Sequence, residues 1–151
     1  MTMKTLELTD DDMSYIKILS ESIKTQDNRI TSHPIFLVQV VSTRLTSDSN
    51  DFEREVWMDD DWDEVDEDKS AELQELDDNW QDIPDGYTKM YEVETWRDVQ
   101  PFLTEKGAQL YIDNNSHNLN RPRIYVSSAY RNYEWQMMRK LVQTVAEQIK
   151  V

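Results

Sequence analysis

Between Asp51 and Asp85 the chain carries seventeen acidic residues against two basic ones, Arg54 and Lys69. No other feature constrains its folding as tightly. Like charges at that density repel one another, and compaction needs solvent, ions or a basic partner to screen them. The remaining sequence balances fourteen acids with fourteen bases, so this one stretch holds the whole formal net charge of −15. No direct contact between the stretch and a nucleic-acid backbone is expected, because phosphates demand positive charge.

The stretch is internal, and strand-like sequence brackets it. At 151 residues the chain suits a single domain with one core, and 38% hydrophobic residues, with five Trp and seven Tyr, suffice to build it. There is no cysteine, which removes disulfides, thiolate metal sites and thiol nucleophiles and fits a reducing compartment. No apolar run approaches the roughly 18 residues of a membrane span, and "MTMKTLELTDDD" has no apolar signal core. The expectation is a soluble protein of the cytoplasm, without membrane contact.

Thr9 and Asp12 form an N-cap pair, and Met13, Ile16, Leu19 and Ile23 recur at helical spacing, which predicts a helix over about 10–26. "IFLVQVVSTRL" is β-branched and continuously apolar at first, as in a strand buried on both faces. "FEREVWM" alternates, and reads as a half-exposed strand antiparallel to the first through the loop "SDSND". "DDDWDEVDED" suits a loop or a ragged hairpin. "KSAELQELDDNW" is competent to form a helix, with Ala71, Leu73 or Leu76, and Trp80 available for packing. "DIPDGY" is a turn, and "YTKMYEVETW" a strand. Thr104 and Glu105 open a helix, "IYVSSAY" is a short strand, and Asn132 caps a last helix. Trp135, Met138, Val142, Val145 and Ile149 stripe that helix. These elements predict an α+β domain over residues 1–151, with an acidic insertion at about 51–85. Its sheet is small, mixed or antiparallel, of about four strands with helices packed on one face.

Specific chemistry is scarce. Counting from Asp59, a calcium loop would need Gly at its sixth position and Glu at its twelfth, where Glu64 and Ser70 stand. Only weak cation association is expected, and no dedicated metal site. His33 and His117 lack the spacing of a metal pair. The only glycines are Gly86 and Gly107, so a Gly-rich phosphate loop is absent. Nothing marks a nucleophile or a cofactor, and the expectation is a protein that is not an enzyme and holds no cofactor.

The acidic stretch differs from a disordered tail in its interleaved apolar residues: Trp57, Trp62 and Trp80 with Val65, Leu73 and Leu76. Carboxylates pinned on a frame approximate the charge spacing of a nucleic-acid backbone. The candidate partner-binding residues are Asp59, Asp60, Asp61, Asp63, Glu64, Asp66, Glu67 and Asp68 for charge, with Trp57 and Trp62 as anchors.

"TSHPIFLVQV", "VWMDDDWDEVDED", "FLTEKGAQLYI" and "RIYVSSAYRNYEWQMMRKL" occur in this order over about residues 30–142. Together they resemble small proteins encoded by bacteriophages and prophages of Gram-negative bacteria. The resemblance implies expression in the cytoplasm of a bacterial host, and it transfers no catalytic residue. In those proteins the acidic turn after the Trp often contains Gly, whereas Trp62 occupies that region here, which puts a shared tight turn in doubt. The N-terminal helix lies outside the resemblance. By analogy with small acidic phage proteins that occupy nucleic-acid-binding surfaces of defence systems, the expected function is a nucleic-acid-mimicking inhibitor of a basic host protein. The rival expectation is a structural or adaptor phage protein whose acidic segment is solvated surface. Its C-terminal helix would then form the homo-oligomer or partner interface.

Overall fold

The computed structural model describes residues 2 and 4–149. Four antiparallel strands and four helices make this an α+β protein, as the hydrophobic periodicity predicts. Helix α1, Asp10–Thr25, opens on a capping box: Asp12 N–H donates to Thr9 Oγ1 at 3.1 Å and Thr9 N–H to Asp12 Oδ2 at 3.1 Å. Those hydrogen bonds hold the Asp12 carboxyl below its ordinary value. Strand β1, Pro34–Thr46, is buried on both faces around Val38–Val41, as its continuous apolar run requires.

Strand β2 is Arg54–Met58, helix α2 Glu67–Asp78, and strand β3 Thr88–Phe102. Helix α3, Glu105–Asn115, is capped by the Thr104 hydroxyl and followed by a 3-10 turn at Ser116–Asn118. Strand β4 is Arg123–Ser128, and helix α4, Tyr133–Gln148, begins where Asn132 Oδ1 accepts from Trp135 N–H at 3.1 Å. The order across the sheet is β2-β3-β1-β4.

The strand 52–58 does not pair with the first strand, contrary to its alternation and connecting loop. It pairs with β3, from Arg54 opposite Glu92 to Met58 opposite Thr88. "SDSND" is no two-residue turn and imposes no hairpin. Pairing with β3 instead sets cations against the acids, with Arg54 beside Glu92 and Lys89 beside Glu55. Nor is β2 half-exposed throughout. Val56, Trp57 and Met58 are all buried, and α2 covers the Trp57 side through a hydrogen bond from the indole to Gln74.

Contacts divide the chain into two compact units. The first comprises residues up to Val40 and those from Asp98 onward; the second is Val41–Arg97. In the first unit Phe36, Val38 and Ala108 form a buried cluster, with Phe102, Tyr111, Ile124 and Val126 packed around it. β1 pairs there with β4, from Pro34 opposite Ser128 to Gln39 opposite Arg123. α1 packs on α4, and the Trp135 indole donates to the Pro34 carbonyl at 3.2 Å. The first unit is electrically balanced, with eleven acids and eleven bases. The second holds twenty acids and five bases, and with them the full −15. Among the described residues, no helix is long and apolar enough to cross a membrane.

Candidate functional site

The acidic residues of the second unit sit on an ordered turn and helix. After β2 the chain reverses in a tight hairpin. Trp62 N–H donates to the Asp59 carbonyl at 3.2 Å, Asp59 N–H to the Asp63 carbonyl at 2.9 Å, and Val65 N–H to the Trp57 carbonyl at 3.0 Å. One Asp59 carboxylate oxygen accepts the N–H groups of Asp61 and Asp63, both at 3.0 Å. Such side-chain-to-backbone bonds are what Asp offers a turn. Of the loop and the ragged hairpin that "DDDWDEVDED" suits, the chain forms the hairpin. Trp62 itself takes the left-handed conformation at its tip, with φ 63°. The tight turn that Gly would favour is made here by a tryptophan, at a cost of about 1 kcal/mol.

Asp66 then caps α2, its carboxylate accepting from Lys69 N–H at 2.8 Å. The cap starts the helix two residues before "KSAEL". Leu73 is its fully buried anchor. Lys89, on β3, ties α2 to the sheet: its ammonium lies 3.2 Å from Glu55 and 2.9 Å from Asp77. Burial opposes its charge, but hydrogen bonds to Asp77 and Glu55 prevail and raise its pKa. Arg54 holds Glu64 through two hydrogen bonds of 2.6 and 3.2 Å and reaches Glu92 at 3.1 Å. The guanidinium keeps the Glu64 carboxyl below its ordinary value against a smaller effect of burial.

The predicted partner-binding residues thus separate. Asp60, Asp61, Asp63, Glu67 and Asp68 are exposed carboxylates, and Trp62 is an exposed indole. Asp59 and Asp66 are occupied with the turn and the helix cap. Glu64 is ion-paired, which takes one negative charge from the face. Trp57 is no anchor for a partner: it is 3% exposed and lies under α2, because alternation along β2 aims it at that helix.

Trp80 reverses the opposite expectation. Rather than packing, it is 97% exposed. α2 stops at Asp78, and Trp80 takes φ 57°, which turns its side chain out of the helical row. The available signal was its polar surroundings, "DDNWQD", which supply no second apolar residue for a packed face. In the sequence Lys89 shows only as the first basic residue after the acidic run that follows Lys69.

Asp59, Asp60 and Asp61 each place a carboxylate oxygen within 4.8 Å of the others, close enough to share a cation. Asp60 and Asp61 are open to solvent and Asp59 already serves the turn, an arrangement suited to loose counterion association rather than a coordination cage. Comparison with protein-family models, with curated proteins and with solved structures yields no match.

Proposed function

We propose that this chain is a non-enzymatic binding protein whose acidic unit occupies the cationic, nucleic-acid-binding surface of another protein. One observation carries the reading: the full −15 lies within residues 41–97, whereas the other unit is neutral. Carboxylates on a capped helix and a hydrogen-bonded turn lose little freedom when they dock. Released counterions favour such docking, as they favour protein binding to a phosphate backbone.

Exposed indoles at Trp62 and Trp80, 65% and 97% accessible, suit a surface that becomes buried against a partner. The resemblance to phage and prophage proteins supports a setting inside a bacterial host, with a nucleic-acid-binding defence protein as the target class. The test is affinity for basic nucleic-acid-binding proteins of the host across a salt series, with competing DNA or RNA. Binding should weaken steeply with salt, compete with nucleic acid, and fall when Asp60, Asp61, Asp63 and Glu67 become Asn or Gln. Affinity indifferent to salt, or unchanged in that variant, would overturn the reading. An adaptor role is the second reading, favoured by the apolar residues that α4 leaves exposed; partner binding through α4 would survive neutralisation of the four acids.

A further inference from the structure

Helix α4 has two apolar rows, and among the described residues only one of them has a neighbour. Trp135 bonds to Pro34, and Val145 and Ile149 line a crevice of about 600 Å³ with Leu8 and Met13. Tyr133, Met137 and Leu141, spaced four apart and so aligned along another side of the helix, are 73%, 60% and 57% exposed. Met138, next to Met137 on the helix, and Tyr130, in the turn before it, are also more than half exposed. The C-terminal stripe read from the sequence belongs largely to the packed row, and Met138 is its one exposed member.

We propose that the Tyr133–Met137–Leu141 row is the interface of a two-fold dimer of this chain. This goes beyond the proposed function and does not depend on it. The area fits: fully covered, the five exposed residues give up roughly 600 Å² per chain, above the ~500 Å² per partner that a specific interface needs. The charge fits as well. The unit that bears α4 carries eleven acids and eleven bases, so that unit itself brings no excess of like charge to a contact between copies. A basic protein would be drawn to the acidic unit instead. The row is also suited to pairing with itself, because an antiparallel crossing centred on Met137 brings Tyr133 of each copy to the level of Leu141 of the other.

Sedimentation equilibrium of the full chain over a micromolar concentration series tests the proposal. The mass should rise from 18.0 kDa towards twice that value, and high salt should leave the association intact, unlike the acidic contact proposed above. Met137→Glu should weaken it by about a hundredfold while the helical circular dichroism stays unchanged. Because the chain has no cysteine, Met137→Cys supplies a second measurement: mild oxidation should link two copies, whereas Trp80→Cys should remain uncrosslinked. A mass of 18.0 kDa throughout the series overturns the proposal. So does a dimer indifferent to Met137→Glu, or a Met137→Cys protein that crosslinks no faster than Trp80→Cys.

Discussion

Replacing Lys89 with Met removes the cation that joins α2 to the sheet while keeping most of the aliphatic stem. Its ammonium is shared by Glu55 on β2 and Asp77 on α2, at 3.2 and 2.9 Å, and lies 5.7 Å from the Trp57 ring centroid. The lysine is largely buried, but both carboxylates are more than a third exposed. An exposed ion pair contributes up to about 1 kcal/mol, and breaking a buried one costs about 3–5 kcal/mol. Two pairs that share a sheltered cation and have solvent-screened anions fall between, at about 2 kcal/mol. For a chain of this length that corresponds to a melting point lower by about 4–8 °C.

Urea unfolding followed by far-ultraviolet circular dichroism measures the loss, and hydrogen exchange over 67–78 shows whether α2 has loosened. The pH dependence has a definite sign. The folded pKa of Lys89 lies above its ordinary 10.5, so its contribution is complete below that value and disappears as pH rises through the folded one. Wild type should therefore lose stability on the alkaline side in a way that Lys89→Met does not. A Lys89→Met protein within about 0.5 kcal/mol of wild type, with unchanged protection in α2, would refute this account of how the acidic face is ordered.

Leu73→Ala empties the fully buried anchor of α2 and should cost about 2–5 kcal/mol in the same urea assay. Trp62→Gly relieves a left-handed residue at φ 63°, so stability should hold or rise by up to about 1 kcal/mol, while affinity for a cationic partner falls; a marked loss of stability would show that the exposed indole packs. Glu64 titrates below its ordinary 4.5 because of Arg54, so its contribution is present above that value and is lost as pH falls through the folded pKa. Carbon-detected NMR should place the Glu64 transition low, and Arg54→Gln should return it towards 4.5.

Helix boundaries were readable where a cap announced them. Thr9 with Asp12, Thr104 and Asn132 each sit at the helix start expected of them, because a cap is a contact over three residues. Asp66 is a cap of the same kind, hidden among so many acids that its role was indistinguishable from its neighbours'. The candidate site was readable as a charge and only partly as a surface. Asp60, Asp61, Asp63, Glu67 and Asp68 are exposed as expected, whereas Glu64 is paired with an arginine ten residues away. The roles of Trp57 and Trp80 exchanged, since one lies beneath a helix and the other beyond the end of it.

By itself, the amino-acid sequence determined the segregation of charge, the α+β class and the starts of three helices, because charge is additive along a chain and capping is local. Tertiary structure alone decided that β2 pairs with β3, that Lys89 gathers Glu55 and Asp77, that Trp57 is buried, and that the Tyr133–Met137–Leu141 row lacks a neighbour among the described residues. Each of these depends on which distant segment arrives alongside. That choice is made by packing and by the pairing of a few cations with many acids, and neither is written in any local run of residues.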